Sequence, residues 1–224
     1  MTRLVPALSA AALMMAGAFV FSDQPGRAPA SFLVGAANAQ EAAEVDTSTI
    51  AEMTMGAEDA PVTIVEYASY TCPHCADFEQ GPFKKLKAEY IDTGKVRFIY
   101  REVYFDRYGL WASMIARCSG DTEKFFGISD LIFKTQRDWV RAGGPTEIVD
   151  ELRKIGRLAG LENDTLEACL QDGTKAQTLV KWYQEHAEAD KIDATPTFVI
   201  NGEKVTNQPW EDLKALIEAE IAKQ

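Results

Sequence analysis

The chain has 224 residues, 46% of them hydrophobic, which is ordinary globular material with enough apolar surface for one good core, alone or with an appended subdomain. Its 34 acidic residues against 23 basic ones leave a net charge of −11, which argues against a nucleic-acid partner and supplies no polybasic patch for a membrane surface.

Residues 1–39 differ in composition from the rest of the chain: Arg3 stands near the start, an apolar run extends from Leu4 to Phe21, and small residues lead to Ala37-Asn38-Ala39 before Gln40. This pattern predicts a cleavable signal peptide over 1–39. An earlier cut at Ala16-Gly17-Ala18 and an uncleaved anchor are the alternatives, the apolar run being a marginal span for a bilayer. No cysteine precedes Cys72, which excludes a lipoprotein. Export also suits the 4 cysteines, because disulfides persist outside the reducing cytosol, and the expected compartment is a bacterial periplasm. Residues 40–52 are polar and acidic and are expected to form a flexible lead-in. They are too few for a dimerisation domain, so a monomer is expected.

A short strand at Met53–Met55 and a turn through Gly56 and Pro61 lead to a β-rich run from Val62, expected to be the central strand. The run delivers Cys72-Pro73-His74-Cys75 to a helical pattern carrying Phe78, Phe83, Leu86 and Tyr90, with a kink expected at Gly81-Pro82. Lys95 to Val103 alternates as the next strand. From Arg107 to Ala189 the period is helical: Leu110, Trp111, Met114 and Ile115 make one face, Phe125 to Phe133 continue it in a second helix, and Gly143-Gly144-Pro145 restarts the pattern. Ile148, Leu152, Ile155 and Leu158 keep helical spacing, Asp164 to Glu167 resembles a capping box, and Leu179, Trp182 and Tyr183 mark a last long helix. So long a helical stretch without a β-like run is a subdomain, not a loop. Strands return at Thr197 to Ile200 and Lys204 to Thr206 around an Asn201-Gly202 hairpin turn, and Pro209 opens a final helix with Trp210, Leu213, Ile217 and Ile221 on one stripe.

The chemistry is concentrated at Cys72 and Cys75. A thiolate, not a thiol, attacks disulfides, and the free N–H groups and positive dipole end of a first helical turn stabilise a thiolate at that position. Cys72 is the expected nucleophile. Cys75, one turn further in and more shielded, suits a resolving role. Pro73 fits the first turn, where a missing N–H costs nothing. A protonated His74 would add positive charge beside the sulfur and make the disulfide more oxidising. Half of a zinc site is the competing reading, but Cys118, Cys169, His74 and His186 lie at no zinc-like spacing, and a purely structural bridge closing so short a loop would restrict the unfolded chain little. No metal is expected, and no cofactor beyond the Cys72–Cys75 pair itself. His186 is read as a solvated histidine without a role.

Far downstream, Ala194-Thr195-Pro196-Thr197-Phe198-Val199-Ile200-Asn201-Gly202 sets a proline before a β-like run. Paired with the strand, the CxxC and the helix, this resembles the thioredoxin superfamily, and CPHC with a helical stretch inserted between the two half-motifs resembles the DsbA-like thiol:disulfide oxidoreductases over Met53 to Ala222. The resemblance implies an α/β thioredoxin fold with an inserted helical subdomain. Residues 53–106 would form its first part, 107–190 the insertion and 191–224 its second part. It implies that Pro196 is a cis-proline that keeps metals from the sulfurs and leaves the backbone of Thr195 open to a substrate strand, held by main-chain pairing with low sequence specificity. Threonine before that proline also occurs in isomerase and reductase relatives. Glu66, six positions before Cys72, resembles the buried acid that the superfamily sets beneath its cysteines to relay a proton at Cys75; burial would raise its pKa. The alternative is a strand-end charge reaching solvent. Cys118 and Cys169 resemble the extra disulfide that some DsbA-like proteins carry, and export with an even cysteine count favours the bridge over two buried thiols.

The expected function is donation of the Cys72–Cys75 disulfide to exported, folding proteins through a mixed disulfide, with a membrane quinone-linked thiol oxidase restoring the pair. A disulfide isomerase or reductase of the same fold is the nearest alternative. A thiol-dependent chaperone is another, as is a copper-binding module using Cys72, His74 and Cys75, whose thiolates would suit Cu(I).

Overall fold

The computed structural model describes residues 45–224, so the signal peptide expected over 1–39 and the start of the lead-in lie outside the described residues. The strands are β1 (Met53–Met55), β2 (Val62–Ala68), β3 (Val96–Glu102), β4 (Thr197–Ile200) and β5 (Glu203–Thr206), in one sheet of order β1-β3-β2-β4-β5. β2 pairs in parallel with β3 and antiparallel with β4, while β1 and β5 pair antiparallel at the edges. The sequence explains the central place of β2. Val62, Ile64, Val65, Tyr67 and Ala68 are all buried, a near-continuous apolar run that fits a strand covered on both faces. The β4–β5 hairpin turns through Asn201 at φ 46° and Gly202 at φ 91°, the two left-handed positions that an Asn-Gly turn supplies.

The helices are α1 (Pro73–Gln80), α2 (Pro82–Leu86) running into a π-helical turn over Lys87–Ile91, α3 (Arg107–Ala116), α4 (Thr122–Lys134), α5 (Gln136–Trp139), α6 (Pro145–Leu158), α7 (Asn163–Gln171), α8 (Gly173–Ala189) and α9 (Trp210–Ile221). Helices α3 to α8 all fall between β3 and β4, so the α/β fold carries its helical insertion where the period of the sequence changes. One core joins the two regions: Ile64, Phe98, Phe78 and Phe198 from the sheet side share a cluster with Phe125, Ile128, Ile132 and Leu152 from the insertion. On the opposite sheet face, Val65, Tyr67, Val103 and Val199 are covered by Tyr183 of α8 and by Ile192. The Cys118–Cys169 disulfide is formed, with a Cα–Cα distance of 5.7 Å, and fastens the segment after α3 to α7.

Three local expectations need correction. Gly81-Pro82 divides the expected kinked helix into two, because Gly81 leaves helical geometry at φ −125°, ψ −91° and Pro82 begins a new helix at a position needing no N–H. The capping box is not made: α7 is preceded by Glu162, whose side chain caps nothing. The lead-in expected to be flexible over 40–52 is tied down in its described part. Asp46 accepts from the Ser48 N–H at 2.9 Å, Thr47 donates to Glu185 at 2.8 Å, and Ile50 is only 6% exposed in a cluster with Met114, Leu179 and Trp182.

A buried ion pair fastens the same corner. Arg117 donates through Nε and Nη2 to the two carboxylate oxygens of Glu102 at 2.5 and 2.7 Å, and through Nη1 to the Ala51 carbonyl at 2.9 Å. The guanidinium lies 5.3 Å from the Phe125 ring centroid and 5.4 Å from that of Trp182. One side chain thereby links the lead-in, β3, α3, α4 and α8.

Candidate active site

β2 ends at Ala68, and beyond a short turn the chain enters α1 with Cys72 as its N-cap and Pro73 at the first helical position. Three contacts hold this junction. The Cys72 N–H donates to the Ser69 carbonyl at 3.0 Å, and Thr71 Oγ1 donates to Asp106 at 2.8 Å, the residue that also caps α3. Gln136 of α5, itself buried, donates through Nε2 to the carbonyls of Tyr70 and Cys72, each at 2.8 Å. The insertion therefore reaches back to fix the backbone on both sides of Thr71.

The two sulfurs occupy opposite environments. Cys72 is half-buried and Cys75 is 0% exposed, and both are free thiols in this structure. The Cys72 thiol is brought down to about 5, first by the hydrogen bond from Cys75, then by Thr195 and by the backbone N–H groups of Cys75 and His74, against the opposing effect of burial. Burial drives the Cys75 thiol far above its ordinary value, and the neighbouring Cys72 and Glu66 add to the rise. His74 is exposed. Its backbone N–H is among the groups that stabilise the Cys72 thiolate.

Across from the sulfurs, Thr195-Pro196 is a cis peptide, and the Thr195 carbonyl accepts from the Cys72 thiol at 3.4 Å. Glu66 lies on β2 in register with Tyr100 on one side and Phe198 on the other. It is 0% exposed, and neither carboxyl oxygen has a protein partner. Burial raises its pKa well above the usual carboxylate range, and the charges of Glu79 and Cys72 raise it further. The solvent-reaching alternative for Glu66 is thus excluded by position.

The structure brings Cys72, Cys75, Glu66, Thr195 and Pro196 to one place. Cys118 and Cys169 belong to the bridge in the insertion, and His186 stacks on Trp182 at 4.5 Å with its Nδ1 2.8 Å from that residue's carbonyl oxygen. Among the described residues no group of three or more His, Cys, Asp or Glu is arranged to hold a metal ion. Two residues escaped the sequence reading. Glu79, on α1, is 5% exposed, and burial raises its carboxyl to about 8, with Lys84 opposing and Asp130 reinforcing the shift. A signal for it existed, since Glu79 comes four positions after Cys75 and therefore shares its helix face. Gln136 gave no comparable signal.

Residues 48–219 match the thioredoxin family. A putative protein-disulfide oxidoreductase of Rickettsia bellii is 34% identical over 170 residues, 76% of this chain and 64% of that protein, so the chain spans less than two thirds of the length of this relative. Disulfide bond formation protein D of Bacillus subtilis is 29% identical over 175 residues, covering 75% of this chain and 76% of its own. The crystal structure of Wolbachia pipientis alpha-DsbA1 superimposes with a TM-score of 0.70 at 27% identity, over 77% of this chain and 92% of that one.

Proposed function

The chain belongs to the thioredoxin family and is DsbA-like in fold, and from that premise we propose that it is a thiol:disulfide oxidoreductase donating its Cys72–Cys75 disulfide to exported, folding proteins. The observation that carries the reading is the opposition of the two sulfurs, one half-exposed and held as a thiolate from about pH 5 upward, the other sealed and held as a thiol.

In the donating direction a substrate thiolate attacks Cys72 Sγ, a mixed disulfide forms, and the bond to Cys75 breaks. Cys75, poor as a thiolate in its buried site, takes up a proton, and Glu66 is the carboxyl assigned to supply it. A second substrate thiolate then attacks the substrate sulfur of the mixed disulfide, and Cys72 departs. A low-pKa thiolate is the better leaving group, so this step favours release of oxidised substrate. Thr195 and Pro196 offer the backbone against which an extended substrate segment would pair. The natural setting is the periplasm after removal of residues 1–39, the partners are reduced exported proteins and a membrane quinone-linked thiol oxidase, and the working form is a monomer.

The test combines the pH dependence of thiolate absorbance with two assays, oxidation of a reduced substrate and rescue of a scrambled one. The proposal expects a Cys72 midpoint near 5 and rapid oxidation. A midpoint close to the free-cysteine value of about 8.5 overturns it. Efficient rescue of scrambled substrate with weak oxidation transfers the assignment to an isomerase.

A further inference from the structure

Tyr70, Thr71 and Cys72 carry the chain from β2 into α1, and helices of the insertion hold each of them. The Tyr70 hydroxyl lies 2.6 Å from that of Ser129 on α4, the Thr71 hydroxyl donates to Asp106 at the head of α3, and Gln136 of α5 donates to the carbonyls of Tyr70 and Cys72. Of these contacts, that of Gln136 grips the main chain itself, on both sides of Thr71. Gln136 suits the place chemically. It is 3% exposed, and its amide nitrogen carries two hydrogens in fixed directions, one for each carbonyl, with no charge to bury. A lysine or arginine would supply as many donors only by burying a cation without a partner. The position of Gln136 is set within the insertion, because α5 is seated by Trp139, 1% exposed, whose Nε1–H donates to the Ile132 carbonyl at 2.9 Å.

Cys72, the N-cap of α1, keeps an extended backbone at φ −82°, ψ 120°, and its carbonyl also accepts the Ala76 N–H at 3.2 Å. In that conformation an N-cap side chain is directed at the N–H groups two and three positions on, here those of His74 and Cys75. They are the backbone groups that favour the Cys72 thiolate. By bonding carbonyls on both sides of Thr71, Gln136 restrains the peptides whose rotation would turn the sulfur away.

We infer that Gln136 is a positioning residue of the exchange reaction: anchored in the insertion, its amide holds the Cys72 backbone in the conformation that aims the sulfur at the first turn of α1, so the insertion sets the redox poise of the pair. This role rests on the proposed disulfide-exchange function, and Gln136 bonds carbonyls, not a sulfur. The titratable groups around the sulfur are Cys75 and His74 on α1 and Glu66 on β2, with Asp106 reached through Thr71. Gln136 is neutral and adds no charge to this set. Without its amide the sulfur is held less well against the N–H groups, the thiolate is less favoured, and the reduced pair loses stability relative to the disulfide.

The deciding variant is Gln136→Met, which keeps the length of the side chain and removes both donors. In the reduced full chain, thiolate absorbance should place the Cys72 midpoint about one unit above its wild-type value of about 5. The equilibrium with glutathione at pH 7 should move about 10-fold toward the protein disulfide, which is about 30 mV. Attack on an aromatic disulfide that releases a coloured thiolate should show a crossing pH profile: about 2-fold slower at pH 5, where less thiolate is present, and about 3-fold faster at pH 8, where the more basic sulfur is the better nucleophile. Ser129→Ala also removes a buried hydrogen bond to Tyr70 but spares the carbonyls, and should leave midpoint and equilibrium at their wild-type values. A wild-type midpoint in Gln136→Met, or an equal shift in Ser129→Ala, overturns the role and leaves Gln136 a part of the core. If Gln136→Met does not fold, NMR of the wild-type chain decides. The two Gln136 side-chain amide protons should be protected from exchange and should shift between the disulfide and reduced forms, because a carbonyl they bond belongs to the residue whose sulfur gains charge. Amide protons that exchange as fast as those of an exposed glutamine, or resonate alike in both forms, overturn the role. A wild-type Cys72 midpoint near 8.5 instead overturns the disulfide-exchange function itself, and this role with it.

Discussion

At the scale of single residues, the low pKa of Cys72 fixes how many protons accompany two electrons. Above about pH 5 the reduced pair holds one proton, on Cys75, and below it two. Each bound proton shifts a two-electron potential by about 30 mV per pH unit, so the potential of the Cys72–Cys75 couple should fall by about 30 mV per unit above pH 5 and by about 59 mV below. Equilibration with glutathione across this range measures both slopes; a single slope of about 59 mV up to pH 8 contradicts the thiolate assignment. His74→Ala bears on the same sulfur. The exposed ring is lost but the backbone N–H is kept, so the Cys72 midpoint should stay within about one unit of its starting value, measured by thiolate absorbance. Cys72 and Cys75 were legible in the sequence, because a strand, a CxxC and a helix in succession place them by local geometry, and Glu66 through its resemblance to the superfamily's buried acid. Glu79 was missed despite its place four residues after Cys75, since the helical pattern was counted on Phe78, Phe83 and Leu86 and a glutamate among them reads as a solvated charge. Its burial depends on α4, which the sequence places far downstream.

Among the elements, α5 is a helix of only 4 residues and holds the site from outside the thioredoxin portion. Gln136→Ala leaves the buried carbonyls of Tyr70 and Cys72 without their donor and should cost about 1–3 kcal/mol, read from the midpoint of urea unfolding with an unchanged slope. The order of α3, α4, α6, α7, α8 and α9 was readable from period and from Pro145 and Pro209, whereas α5 was not. The break at Gly81-Pro82 and the missing cap at α7 were not, because each turns on backbone angles that neighbouring elements impose. The lead-in was misjudged for a related reason. Ile50 in a mostly polar and small-residue stretch gives no periodic signal, yet Met114, Leu179 and Trp182 assemble a site for it from three places in the chain. Arg117 fastens that corner from within. Arg117→Met strands the buried carboxylate of Glu102, with an expected loss of about 3–5 kcal/mol by the same measurement.

For the molecule as a whole, the buried carboxyls set a pH dependence of stability that runs against ordinary acid denaturation. Glu66 and Glu79 have raised values in the folded state, so above the unfolded carboxyl value of about 4.5 the folded chain holds protons that the unfolded chain has released, on Glu79 up to about 8. Their contribution is therefore fully present below about pH 4.5 and is lost as pH rises through the folded values. In the disulfide form, where Cys72 does not titrate, the melting temperature should fall from pH 5 to pH 9, and Glu66→Gln with Glu79→Gln should flatten that fall. In the reduced form the lowered Cys72 works the other way: its stabilisation is fully present above the free thiol value of about 9 and is lost as pH falls through 5. The reduced form should accordingly lose stability relative to the disulfide form on acidification, as paired scanning calorimetry of the two forms would record.

The central position of β2 also sets a clock. Its amides are bonded into β3 on one side and β4 on the other, whereas β5 is an edge strand among the described residues and carries a largely exposed run of side chains. Deuterium should therefore enter β5 through local fraying within a short exposure, and enter Val62–Ala68 only when the whole chain opens. The strand that carries the cysteines is the last part of the molecule to forget its hydrogens.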